Sequence, residues 1–230
     1  MDIQTPSLTA VRQRIAAAET RFNRSRGSVV LLAVSKTRTP AAILAVARQS
    51  QRRFAENYLQ EALPKIEALA SEALEWHFIG RLQSNKTAAI ARHFDWVHTL
   101  DRAKIATRLN DQRPSSLPPL NVLVQVNIDE EPTKSGIALD QLPALIEVVM
   151  QYPQLRLRGL MALPAPRTDF EQQRRPFRRL ARAWAQLRDR GIALDTLSMG
   201  TSEDFEAAIA EGATLLRIGT AIFGPREAPP

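Results

Sequence analysis

Short apolar runs recur along the chain, each closed by polar or turn-forming residues. Eight read as strands: VVLLAVSK (29–36), RRFAEN (52–57), EWHFIG (75–80), DWVHTL (95–100), NVLVQVNI (121–128), LRLRGLMAL (155–163), TLSMG (196–200) and LLRIG (215–219). Segments with apolar residues at helical spacing lie between them, from PAAILAVARQ after the first strand to SEDFEAAIAEG before the last. A further amphipathic helix, TAVRQRIAAAETRFNR, precedes the first strand. Several strand runs are almost continuously apolar, as expected when both faces of a sheet are covered. Strict alternation of strand and helix implies parallel strands with right-handed crossovers. Eight such units in 230 residues, a little under the about 250 usual for the fold, predict a single (β/α)8 TIM-type barrel with an extra N-terminal helix, one domain over residues 1–230. An open doubly wound sheet is the alternative. It would bind a nucleotide through a Gly-rich first turn, whereas the turn here is SKTRTP. The Pro-rich stretch DQRPSSLPPLN reads as a loop within the domain, because a boundary there would leave four strands on each side.

Composition narrows the picture. At 44% hydrophobic the chain can bury a large core. No run approaches the roughly 18 apolar residues of a membrane span. The opening MDIQTPSLTAVRQRI lacks a charged-then-apolar leader pattern, so a cytoplasmic location is expected. The absence of cysteine excludes disulfides, zinc–thiolate sites and thiol catalysis. A net charge of +7 and a pI near 10.5 would attract anions. The densest basic stretch, EQQRRPFRRLARAWAQLRDR, carries Phe177, Leu180, Trp184 and Leu187 at helical spacing, so its arginines are expected on a solvated outer face. No zinc finger, aromatic RNA-binding signature or Walker loop accompanies it, and neither a nucleic-acid partner nor a metal is expected.

In a barrel of this kind, function gathers at the C-terminal ends of the strands. The first strand ends in Lys36, the second in Asn57 and the seventh in SMGTS. An ammonium delivered to a strand tip needs a partner. Ser202 precedes a helical run with acidic residues in its first turn, which an N-cap would explain. The last strand ends in Gly219-Thr220, where backbone NH groups beside a hydroxyl would cradle an anion. Barrels commonly build a phosphate site from the loops after strands seven and eight. Strand alternation puts Leu215, Arg217 and Gly219 on one face and Leu216 and Ile218 on the other, so Arg217 points into the barrel mouth. There it requires an acceptor: a ligand, or a carboxylate such as Glu56.

The stretches LLAVSKT, FAENYLQEALPKIEAL, WHFIGRLQSNK, VNIDEEPTKSGI, GLMALP and LSMGTSEDFEAAIAEGATLLRIGTAIFG resemble, in order and over nearly the whole chain, the pyridoxal phosphate homeostasis protein family. That family is similar in fold to the N-terminal barrel of alanine racemase. The resemblance implies binding of pyridoxal 5′-phosphate (PLP) as a lysine Schiff base, and a role in vitamin B6 homeostasis and supply without assigned turnover. It implies Lys36 as the Schiff-base lysine. An imine needs a neutral amine, and desolvation at a barrel mouth lowers a lysine's pKa. It places Ser202, Gly219 and Thr220 at the phosphate, Arg217 at the pyridine nitrogen and Asn57 along the ring. His77 and Ser198 are weaker candidates that packing within a strand would equally explain. After WHFIG the family usually has proline; Arg81 stands here.

The implied protein is a monomeric carrier that supplies PLP-dependent apo-enzymes. The rival is a slow PLP-dependent racemase or transaminase. Alanine racemase draws its second base, a tyrosine, from a C-terminal β domain, and only GPREAPP follows Phe223. The chain's own tyrosines are Tyr58 and Tyr152.

Overall fold

The computed structural model describes residues 7–225. Its strands are β1 (Val30–Val34), β2 (Arg53–Glu56), β3 (Glu75–Phe78), β4 (Trp96–Leu100), β5 (Leu120–Val126), β6 (Leu155–Ala162), β7 (Thr196–Ser198) and β8 (Leu215–Ile218). They pair in parallel in chain order, and β8 returns to β1 to close the barrel. The expected (β/α)8 fold is therefore the observed one, and all eight strands lie where the apolar runs put them. Helices α1 (Leu8–Arg21), α2 (Pro40–Ala47), α3 (Leu59–Ala68), α4 (Thr87–His93), α5 (Ala103–Gln112), α6 (Leu142–Met150), α7 (Phe170–Asp189), α8 (Phe205–Ala210) and α9 (Thr220–Phe223), with two short 3-10 turns at Ala70–Glu72 and Leu139–Gln141, complete the described elements.

Local chemistry sets the helix starts. Thr39 caps α2 by accepting from Ala42 N at 3.2 Å, with Pro40 in the first helical position. Asp169 caps α7 by accepting from Gln172 N at 2.8 Å. On α7, Phe177, Leu180 and Leu187 are buried and Trp184 packs beside them. The arginine face is largely solvated, as expected, with Arg175, Arg179, Arg182 and Arg188 exposed, but some of its arginines also make contacts. Arg174 and Arg178 both grip Glu211, and Arg179 donates to the Ile128 carbonyl. Charge on this helix thus ties it to its neighbours. The Pro-rich segment before β5 is a loop, as expected. The nearly buried Arg113 stitches it down by donating to the carbonyls of Ala91, Phe94 and Pro118.

Two apolar layers form. The larger lies between barrel and helices, where Leu216 and Ile218 sit. The interior holds Leu32, Val34, Ala55 and Leu215 in one cluster and Trp96, Leu123 and Met161 in another. Unlike a barrel filled only by branched apolar side chains, this interior also buries His77, His98, Ser198 and Arg217. The extra helix α1 packs on α8 and α9. Its buried Glu19 accepts from Gly27 N at 3.0 Å and Val29 N at 2.9 Å, fixing the turn that launches β1.

Candidate functional site

A cavity of about 250 Å³ opens at the C-terminal ends of the strands, and Lys36, Asn57, Ser202, Arg217, Gly219 and Thr220 all line it. Six residues spread over 185 positions of sequence thus converge, the span running from Lys36 to Thr220. Ile79 and Met161 supply apolar wall.

Each polar group is placed by its strand. Leu32 and Val34 face the barrel interior, so two residues on Lys36 follows the same face into the cavity. Ser35, between them, faces outward. Its Oγ donates to Glu56 Oε1 at 2.6 Å, and its carbonyl accepts from Lys65 Nζ at 3.1 Å. Thr37 sits at φ +63°, a left-handed conformation unusual for a branched residue. Its N–H is held by Glu61 Oε2 at 3.0 Å. The turn carrying Lys36 is therefore clamped on both sides from α3. Glu56, the carboxylate offered by the sequence to Arg217, instead pairs with Lys65 at 2.9 Å, both buried. Burial pushes the Glu56 pKa up, against the lowering effects of Ser35 and Lys65.

Asn57 lies against β3's end. A Cβ at Gly80 would collide with the Asn57 carbonyl, so only glycine lets these strand ends approach. Asn57 Oδ1 is buried without a hydrogen-bond partner among the described residues. Arg217, 5% exposed, has a neutral hydroxyl and a carbonyl as its hydrogen-bond acceptors: Ser198 Oγ at 2.7 Å and Ala162 O at 2.9 Å. Burial lowers its pKa to about 10, which leaves it a cation at neutral pH.

Ser202 does not cap α8. Asp204 occupies the N-cap and is bound by Thr201 N and Oγ1 at 2.6 and 2.8 Å. Ser202 Oγ turns instead toward the loop after β8, accepting from Ala221 N at 3.4 Å. The two loops after β7 and β8 are thereby joined at the cavity wall. At Gly219 a Cβ would stand 3.2 Å from the Val34 carbonyl, so glycine permits close packing on β1. Arg81 does not line the cavity; its charge lowers the pKa of Asp101, which burial on balance raises. His77 and Ser198 lie below the cavity in the barrel interior and do not line it.

Sequence reading missed the clamp on the lysine turn, although alternation carried it: with Asn57 facing inward, Glu56 faces α3 and Lys65. No group of three or more metal-ligating side chains stands together among the described residues.

Barrel and cavity together define a class, the closed α/β barrels whose ligand cavity sits at the strands' C-terminal ends with a lysine at the tip of β1. Comparisons narrow it. The family model for the alanine racemase N-terminal domain matches residues 7–227. The chain is 54% identical over 224 residues to the pyridoxal phosphate homeostasis protein of Escherichia coli (strain K12), covering 96% of each. It is 54% identical over 221 residues to the protein of the same name from Pseudomonas aeruginosa, covering 96% of this chain and 95% of that one. Among solved structures it matches PipY of Synechococcus elongatus PCC7942 with PLP bound, with a TM-score of 0.81 and 34% identity over 93% of this chain and all of that one. Alanine racemase from Corynebacterium glutamicum shares the fold alone, at a TM-score of 0.64 and 17% identity over 95% of this chain and 61% of that one. The chain belongs to the pyridoxal phosphate homeostasis proteins, within the alanine racemase N-terminal domain family.

Proposed function

We propose that this chain binds PLP as a Schiff base on Lys36 and takes part in intracellular PLP homeostasis and supply, as a carrier without catalytic turnover. The observation that carries the reading is the convergence of Lys36, Asn57, Ser202, Arg217, Gly219 and Thr220 on one cavity. PLP fits the chemistry of that lining. Its aldehyde condenses reversibly with an amine, releasing water. Lys36 supplies the amine on a turn clamped by α3. Ser202 and Thr220 supply hydroxyls, with backbone close by at Gly219, for a phosphate. Arg217 supplies a permanent donor for the ring nitrogen. The partnerless Asn57 Oδ1 marks a buried acceptor that a ligand would use. A relative named for PLP homeostasis at 54% identity and a PLP-bound neighbour at 34% support the assignment.

The carrier reading is favoured over a racemase or transaminase by the placement of the two tyrosines. Tyr152 bonds Thr107 at 2.8 Å, where it packs on the outer apolar layer, and Tyr58 is exposed; neither lines the cavity. No tyrosine of this chain stands ready as a second acid–base group across the ring. We take residues 1–230 to act as one cytoplasmic, monomeric PLP-binding domain that passes PLP to apo-enzymes. No helix among the described residues is long and apolar enough to cross a membrane.

The test is a PLP titration followed by visible absorbance. The parent is expected to develop the imine band, and Lys36→Ala to lack it while its far-UV circular dichroism is unchanged. An undiminished band in the variant would contradict the reading.

A further inference from the structure

A row of polar side chains runs through the barrel from the cavity to the opposite mouth. Arg217 Nη1 donates to Ser198 Oγ at 2.7 Å. Ser198 Oγ stands 3.1 Å from His98 Nδ1. His98 Nε2 stands 2.9 Å from His77 Nδ1, and His77 Nε2 stands 2.8 Å from Glu75 Oε1. Ser198, His98 and His77 are wholly buried. Glu75 opens β3 at the N-terminal mouth and is partly exposed there beside Arg53.

The protons in this row can be placed from its ends. A carboxylate only accepts, so His77 Nε2 donates to Glu75. A neutral His77 then accepts at Nδ1, so His98 donates from Nε2 and accepts at Nδ1. Ser198 therefore gives its proton to His98, and its oxygen is left to accept from Arg217. A guanidinium, which only donates, demands the same sense from the other end. All four hydrogen bonds point from Arg217 toward Glu75. Their dipoles present a negative end to the cation and a positive end to the carboxylate, and aligned bonds polarise one another. The neutral state follows from burial, which lowers the pKa of His77 and, further, that of His98. The charged groups acting on His77 are Glu75, Asp95 and Arg53; on His98 the like charges are a protonated His77 and then Arg217.

We propose that Glu75, His77, His98 and Ser198 are positioning residues, a hydrogen-bonded spine of fixed polarity that aims Arg217 at the cofactor's ring. The proposal rests on the reading that Arg217 faces the PLP ring. The spine holds one of the guanidinium's nitrogens through Ser198, the Ala162 carbonyl holds a second, and Arg217 so held lines the cavity. Glu75 acts at a distance: it terminates the row at the far mouth and does not line the cavity.

Two measurements test this. In the ligand-free protein, 15N NMR of histidine-labelled samples is expected to show His77 and His98 both neutral with the proton on Nε2 at pH 7. Glu75→Gln, which keeps an acceptor, should preserve that pattern, and Glu75→Leu should disturb it at His77. In the PLP-bound protein, Ser198→Ala is expected to weaken PLP binding about tenfold, the scale of one hydrogen bond to a charged group. Glu75→Leu, at the solvated mouth and therefore tolerant of substitution, should shift the pH at which the bound cofactor's absorbance titrates, with Glu75→Gln restoring it. A proton on Nδ1 of His98, or a charged His98 at pH 7, would overturn the spine. So would Ser198→Ala and Glu75→Leu that leave affinity and titration unmoved while Arg217→Met changes both. If Arg217→Met itself changes neither, the ring-facing reading fails and the positioning role fails with it, while the tautomers still report the spine's polarity separately.

Discussion

Ser202 lies in the loop after β7 and Thr220 opens α9, yet both line the cavity beside Gly219, and Ser202 Oγ already reaches the Ala221 amide. Two hydroxyls beside exposed backbone suit a dianionic phosphate better than a neutral group. A hydrogen bond to a charged group contributes about 1.5–3 kcal/mol, so Ser202→Ala and Thr220→Ala should each weaken PLP binding by roughly ten- to a hundredfold. Pyridoxal, which has no phosphate, should bind the parent poorly. Equal affinities of pyridoxal and PLP, measured by equilibrium titration, would show that the cradle lies elsewhere. Arg217 has a different task. Its partners are a hydroxyl and a carbonyl, and its pKa of about 10 leaves its charge intact at neutral pH. A guanidinium against the ring nitrogen would keep that nitrogen unprotonated and the ring a weak electron sink, which suits storage better than chemistry at Cα.

At the scale of elements, the clamp between β1, β2 and α3 holds the backbone on either side of Lys36. Lys65 Nζ lies 2.9 and 3.0 Å from the two Glu56 oxygens and 3.1 Å from the Ser35 carbonyl. Removing one partner of a buried pair strands the other charge, at a cost of about 3–5 kcal/mol. Lys65→Met should lower the unfolding free energy by that amount in urea, and Lys65→Met with Glu56→Gln should recover much of it. A loss under about 1 kcal/mol in the single variant would show the pair to be solvated. The strands themselves were legible in the sequence, because runs such as VLLAV are apolar on both faces and each is short and closed by turn-forming residues. Lys36 and Asn57 were legible as strand tips, and the alternation along β8 turned Arg217 inward. The cap at α8 was not, since Ser202 and Asp204 are both good N-caps and only packing chose Asp204. The destination of Glu56 was not either. Inward and outward neighbours alternate along β2, but which helix residue meets Glu56 depends on how α3 sits on the barrel. The histidine row needed three strands in register before His77, His98 and Ser198 could meet.

For the whole molecule, the barrel combines a rigid outer layer with an interior that is polar along one line. That line sets a pH dependence. His77 and His98 are held neutral, with folded pKa values below the ordinary 6.5. Below about pH 6.5 the unfolded chain takes up protons that the folded chain refuses, so stability is full above that pH and falls as pH drops through it. The slope approaches about 1.4 kcal/mol per pH unit for each histidine. Urea midpoints should therefore decline between pH 6.5 and 5.5, and His98→Gln should flatten the decline. A midpoint independent of pH across that interval would mean that the imidazoles are not excluded from protonation. On the outer layer α7 holds Glu211 with Arg174 and Arg178, and the chain as a whole keeps a net charge of +7. The anion site we propose is the cavity at the strand tips, and the account stands or falls on what Lys36 does there. The most direct measurement is borohydride reduction of the PLP-loaded protein followed by peptide mass mapping. The account predicts the cofactor fixed on the peptide that contains Lys36. Label confined to Lys86 or Lys134, with none on Lys36, would contradict it.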